Sequence, residues 1–180
     1  MASYAIAAKG SWRMRNLPKV GFAAAAALFL ADQLSKWAVT KLLGIDTLGD
    51  SQTITSFFDL RFVPNIGISL GLLPADGHLT RWALVLLTGA IAVGVAVWMT
   101  REKNPADQVA LGFVLGGAIG NILDRIRLGY VVDFADLHIG EWRPFLVFNV
   151  ADAAITVGVL VLLVRALLVR EKPPVENSHA

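Results

Sequence analysis

Four apolar stretches, spread along a chain of 180 residues, constrain what it can fold into more than any other feature. The hydrocarbon core of a bilayer is about 30 Å thick and takes roughly 20 mostly apolar residues to cross as a helix. The stretches run from Val20 to Leu43, Trp82 to Met99, Val109 to Leu123 and Phe145 to Val169. The second and third carry no charge. The first is interrupted by Asp32 and Lys36, and the fourth holds Asp152 and, near its end, Arg165. Composition agrees: 56% of residues are apolar and only 17% charged, against about 25% charged in soluble domains. This implies an all-α membrane protein with four transmembrane helices, and it excludes a disordered chain.

Other classes fall away on residue content. There is no cysteine, hence no disulfide framework and no thiolate nucleophile. His78, His138 and His179 lack metal-site spacing, so no metal and no cofactor are expected. A net charge of +2 is too small to suggest nucleic acid.

Four spans place both termini on one side. The tail 1–19 holds Lys9, Arg13, Arg15 and Lys19 without an acid, the loop between spans two and three holds Arg101 and Lys103, and the C-terminal end holds Arg165, Arg170 and Lys172. The positive-inside rule makes these regions cytoplasmic. The expected layout is a cytoplasmic tail 1–19, a membrane domain 20–170 with outward loops 44–81 and 124–144, and a second cytoplasmic tail 171–180, read as unstructured beyond Arg170 around Pro173 and Pro174. The outer loops carry most of the acids, among them Asp46, Asp50, Asp59, Asp76, Asp124, Asp133, Asp136 and Glu141. A cleaved signal peptide is the rival reading of the N-terminus, but the apolar pattern continues past Ala31 and no clear A-x-A site ends it. Alternation over Thr53 to Leu73 suggests two short strands, and residues 130–148 another. Gly112, Gly116 and Gly120 form a double G-x-x-x-G, and Ala154 and Gly158 repeat the spacing on span four, which predicts that spans three and four are neighbours.

Charge inside a membrane is expensive and marks candidate function. Asp32 and Lys36 are four apart on one helical face and can pair, either to orient span one or to meet a substrate. Asp152 is expected about five residues into span four, roughly 8–10 Å below the outer surface, with no basic residue near it in sequence. Such a carboxyl suits acid–base chemistry. Its partner would come from Asp124, Asp133 or Asp136. Asp124 has Arg125 and Arg127 beside it and is expected to be neutralised by them. Asp133, between Val132 and Phe134, is expected to face a dry site, and Asp136 to be less enclosed. Asp133 is therefore favoured over Asp136. Two carboxyls sharing one proton can hydrolyse a peptide bond without metal or covalent intermediate. Gly67-Ile68-Ser69-Leu70-Gly71 fits the G-x-S-x-G nucleophile elbow, but Pro74 leaves no room for the helix that motif needs. An ion-coupled transporter and a non-catalytic assembly factor are rival classes. The first usually shows inverted repeats and broken helices, and neither is seen.

Five segments carry a resemblance. They are Asp32-Gln33-Leu34-Ser35-Lys36; Asn65-Ile66-Gly67-Ile68-Ser69; Gly116 through Arg125; Val131-Val132-Asp133-Phe134; and Phe148-Asn149-Val150-Ala151-Asp152-Ala153-Ala154-Ile155. In this order and spacing, over about residues 20–170, the chain resembles bacterial lipoprotein signal peptidase (signal peptidase II), an integral-membrane aspartic protease family of the bacterial inner membrane. The resemblance implies four transmembrane helices with a small extracytoplasmic β-cradle and a short outer helix. It implies cleavage of diacylglyceryl-modified prolipoproteins just before the lipidated cysteine, by a monomer in contact with membrane lipid. By motif position Asp133 and Asp152 would be catalytic. Asn65, Asn121, Arg125 and Asn149 would line the site, and Asp32, Lys36 and Asp124 would support it. The segment after Asn65 departs from the family's usual Gly-Ala-Ala-Phe, reading Gly67-Ile68-Ser69-Leu70.

Overall fold

The structure is a computed structural model that describes residues 18–67 and 78–168. The readings of the two tails, of Ser69 and of Pro74 lie outside these residues. Helix α1 spans Lys19–Trp37 and continues as a π-helical turn over Ala38–Leu42. Strands β1 (Ser51–Thr55) and β2 (Phe58–Asn65) follow, then α2 (His78–Arg101), α3 (Pro105–Leu128), β3 (Val131–Leu137) and α4 (Val150–Leu168).

Three helices, α2, α3 and α4, are long and apolar enough to cross a membrane. Helix α1 falls short by composition, because its 19 residues include Lys19, Asp32, Gln33 and Lys36. No short outer helix occurs among the described residues.

Helix α3 packs against each of the other three helices. Its start is set by Asn104, whose side chain accepts from the Ala106 N–H at 2.9 Å, with Pro105 at the first helical position. Its end is set by Gly129, left-handed at φ 91°. The glycines of α3 do more than the expected joining of α3 to α4. A Cβ on Gly112 or Gly116 would run into the backbone oxygens of Gly21 and Ala25, so these two seat α1. Gly117 seats α4, where a Cβ would lie 2.5 Å from the Ala151 oxygen. Gly158 answers from α4, against the Ala110 oxygen. Two faces of α3, about a hundred degrees apart, thus admit two backbones.

The strands form an antiparallel sheet in the order β1-β2-β3, with Val63 opposite Asp133 and Asn65 opposite Val131. Beneath it, Phe62, Val132 and Phe134 bury against Val39 and Ile45, which lie just beyond α1. The other edge of β3 is taken by Phe148, which exchanges hydrogen bonds with Ala135 at 2.7 and 3.1 Å.

That pairing corrects the expected fourth span. Phe145 to Asn149 lie outside the helix, Phe148 being committed to β3, and α4 starts at Val150. Asp152 accordingly sits in the first turn of α4, not a turn and a half inside it. The third span is longer than expected at both ends, and Asp124, Arg125 and Arg127, assigned to an outer loop, are helical.

Candidate active site

Two groups of buried polar side chains meet where α1, α3 and α4 reach the sheet. The first is built on the i, i+4 spacing of Asp32 and Lys36. The Lys36 ammonium, 4% exposed, donates to Asp32 Oδ2 at 2.8 Å and to Asn121 Oδ1 at 3.2 Å, and pairs with Asp124 Oδ2 at 2.7 Å. Gln33 Nε2 donates to Asp124 Oδ1 at 3.0 Å and to Asp32 Oδ2 at 3.1 Å. The second oxygen of Asp32 accepts the Ala151 N–H at 3.0 Å, which places a carboxylate on the N-terminus of α4. Asp124 is thus neutralised by Lys36 across the helix interface, not by Arg125 and Arg127 as expected. Arg125, the adjacent residue, points about 100° away from Asp124, and Arg127, one turn on, makes no ion pair with it among the described residues.

The second group contains Asp133 and Asp152. Asn149 joins them at the head of α4. Its Oδ1 accepts the Asp152 N–H at 2.9 Å, its own N–H donates to Asp152 Oδ2 at 3.3 Å, and its Nδ2 donates to Asp133 Oδ1 at 2.6 Å. The first two bonds are a reciprocal capping box. The third carries the cap over to strand β3. Asn65 Nδ2 donates to Asp133 Oδ2 at 2.9 Å, and Asn121 Nδ2 to Asp152 Oδ1 at 2.8 Å.

Each of the three amides is oriented by a partner that can only donate. The oxygen of Asn65 takes the Gly67 N–H at 2.8 Å, in a turn where Gly67 has φ 89°. The oxygen of Asn149 takes a backbone N–H, and that of Asn121 faces the Lys36 ammonium. A donor on the oxygen leaves the NH₂ to face the carboxyl. Both aspartates therefore accept on both oxygens, from neutral donors. Neither makes an ion pair among the described residues.

Asp133 is 2% exposed, as its apolar flanks suggest, and burial pushes its carboxyl up to about 6. Donation from Asn65 opposes that rise, and the nearby charge of Asp152 adds to it. Asp152 is half-buried. A cavity of about 280 Å³ opens on Asp133, lined by Asn65, Gly67 and Leu146. A more apolar one of about 360 Å³ opens on Asp152, lined by Phe145, Leu146, Phe148 and Val157. Leu146, 80% exposed, stands on the rim of both. Arg125 reaches the same region from α3. Its Nη1 lies 3.5 Å from the Asn121 backbone carbonyl oxygen, and its buried Nε has no hydrogen-bond partner among the described residues.

Asp136, by sequence the less enclosed candidate, is fully buried. It lies three positions from Asp133 on the strand, hence on the opposite face of the sheet. There it pairs with Arg143 at 3.1 Å and Arg61 at 3.5 Å. Among the described residues no group of three His, Cys, Asp or Glu is placed to hold a metal ion.

Nine sequence candidates, Asp32, Lys36, Asn65, Asn121, Asp124, Arg125, Asp133, Asn149 and Asp152, gather in this one region. Sequence reasoning misses Gln33 and Leu146. The signal for Gln33 is its i, i+3 spacing to Lys36. Leu146 gives none, since it is an apolar residue in an apolar run.

The same arrangement of elements occurs in known proteins. The family model described as signal peptidase (SPase) II matches residues 24–168. A lipoprotein signal peptidase of Rhizorhabdus wittichii is 59% identical over 162 residues, covering 89% of this chain and 94% of its own. That of Sphingopyxis alaskensis is 54% identical over 154 residues, covering 86% and 88%. A bacterial membrane enzyme solved by the in meso method at 1.9 Å resolution superposes with a TM-score of 0.71 at 29% identity, over 85% of this chain and 95% of that one. With most of α1, the other three helices, the sheet and every residue of the two polar groups inside the matched range, this chain belongs to the signal peptidase II family of membrane proteases.

Proposed function

We propose that the chain is an aspartic endopeptidase that removes the signal peptide from diacylglyceryl-modified prolipoproteins, cutting just before the lipidated cysteine, with Asp133 and Asp152 as its catalytic pair. The observation that carries this reading is Asn149, whose side-chain Nδ2 holds the Asp133 carboxyl and whose backbone N–H holds that of Asp152 at the head of α4. Asn65 and Asn121 position the pair, and Arg125 faces the substrate backbone.

The chemistry follows from two carboxyls that share one proton. The charged carboxylate takes a proton from water as the water oxygen bonds to the scissile carbonyl carbon. The protonated carboxyl gives its proton to the carbonyl oxygen, and a neutral gem-diol forms. The C–N bond then breaks as the first carboxyl passes its proton to the departing nitrogen. The second recovers a proton from the gem-diol hydroxyl, and the pair returns to its starting state. One water is consumed, and one acid and one amine are released.

The setting supports the same reading. The Asp152 cavity is apolar and opens beside the exposed Val157 face of α4, where acyl chains could stay in lipid while the peptide reaches the polar cavity at Asp133. Helix α1 is the fourth span: with its π-helical turn it runs from Lys19 to Leu42, about 36 Å. Asp32 and Lys36 face α3, while Val20, Phe22, Leu30 and Leu34 face outward. The sheet end is extracytoplasmic. The end carrying Lys19, Arg101 and Lys103 is cytoplasmic, with both termini, in the bacterial inner membrane. The enzyme acts as a monomer.

Replacing Asp133 or Asp152 by Asn is expected to lower cleavage of a diacylated prolipoprotein by at least about 10²–10⁴-fold, with insertion and unfolding midpoint retained. A gel-shift cleavage assay on the purified protein reads this directly. Cleavage at the wild-type rate by either variant overturns the assignment.

A further inference from the structure

The two aspartates are held by equal numbers of hydrogen bonds, but the frames that hold them differ. Asp152 is in the first turn of α4, where the free N–H groups and the helix dipole favour a negative charge. One of its donors is the backbone N–H of Asn149. Its other donor is Asn121, whose amide oxygen faces the Lys36 ammonium at 3.2 Å. A cation on the oxygen polarises the amide and strengthens its N–H as a donor. Asp152 is also half-buried, within reach of water, at an opening cavity.

A cavity opens on Asp133 too, but Asp133 has neither the helix N-terminus nor the cation-polarised donor. It lies on a strand, which has almost no net dipole. Both of its donors are side-chain amides, and only the one from Asn149 belongs to the helix cap. It is 2% exposed between Val132 and Phe134, which are themselves buried. The charged groups that bear on the pair are Asp32 and Lys36 from α1 and Asp124 and Arg125 from α3. The first three of these largely satisfy one another.

We infer that the pair rests with its proton on Asp133: Asp152 is the carboxylate that activates water, Asp133 is the acid that protonates the carbonyl oxygen, and Lys36 is a positioning residue that fixes this division of roles through Asn121. The inference rests on the aspartic reading. The raised carboxyl of Asp133, at about 6, agrees with it. An acid must hold its proton to act, so loss of the Asp133 proton sets the alkaline limb of kcat/KM, and protonation of Asp152 sets the acidic limb.

The test uses the full-length protein in detergent micelles with a synthetic diacylated prolipoprotein peptide. Asn65→Ala removes a donor from Asp133 alone. It should carry the alkaline limb upward by about tenfold in proton concentration and leave the acidic limb in place. Asn121→Ala removes a donor from Asp152 alone and should carry the acidic limb upward instead. A carboxyl titration followed by isotope-edited infrared spectroscopy gives a readout without turnover. The highest carboxyl midpoint should rise in Asn65→Ala and stay in Asn121→Ala. The reverse pattern in either measurement, or equal movement of both limbs, overturns the division of roles and leaves the aspartic reading standing. Wild-type cleavage by the Asp→Asn variants removes both.

Discussion

Asp32 and Asp124 lie one layer of side chains away from Asp133 and Asp152, and all but Asp152 are buried, yet the two pairs are treated in opposite ways. The first pair closes on an ammonium, with Lys36 between its members at 2.8 and 2.7 Å. The second is given only amide N–H groups. A buried carboxylate closed on an ammonium is held in a structural ion pair. A buried carboxyl served by neutral donors keeps a choice between two protonation states, which acid–base chemistry requires. Asn121 touches both groups: its oxygen accepts from the structural cation and its nitrogen donates to the proposed catalytic carboxyl. The contrast therefore separates a support from the proposed reactive centre within one continuous network.

The comparison can be broken most severely at Lys36. Lys36→Met leaves two buried carboxylates without their cation and is expected to cost about 3–5 kcal/mol, read as a lowered unfolding midpoint in detergent. Adding Asp32→Asn and Asp124→Asn to that variant should recover much of the midpoint. The orphaned charges are then gone, and the amide now at position 32 keeps an oxygen for the Ala151 N–H. A midpoint that stays low in the triple variant would mean that Lys36 stabilises the fold mainly by packing. Asp136 offers a smaller test, as a third buried acid that has cations. Asp136→Asn should lower the midpoint by less than Lys36→Met does and reduce kcat/KM by under tenfold, less than about 1.4 kcal/mol of barrier. A loss as large as that of Asp133→Asn would remove the distinction between the two faces of β3. The smallest effect belongs to the exposed pair Lys41–Asp46 at 3.2 Å. Lys41→Ala should change stability by under about 1 kcal/mol and leave cleavage unchanged.

What can be read from the sequence follows local spacing. Asp32 and Lys36 pair because they are four apart on a helix, and Asp133 is enclosed because its neighbours are Val132 and Phe134. Partners chosen across the fold cannot be read in this way. Asp124 stands beside two arginines in sequence, but its cation comes from position 36, across the interface with α1. The run Phe145 to Phe148 is equally acceptable to a helix and a strand. The free edge of β3 decides it, and that edge exists only once the sheet is formed. Glycines spaced by four announce a close approach without naming the partner, so Gly112 and Gly116 point towards α4 in the sequence and serve α1 in the fold. Asp136 is misread for the same reason: its enclosure depends on Arg61, which arrives from β2.

The bond from the Ala151 N–H to Asp32 crosses 119 positions of sequence. Asp32 belongs to the first of the four described helices and Ala151 to the last. The cap that holds Asn149 and Asp152 is therefore completed by a group in α1 that is made 119 residues earlier. While the ribosome is still making α4, Asp133 has no Asn149 and no Asp152 opposite it. On the proposed aspartic reading, a nascent chain is inert toward the peptides around it until α4 docks.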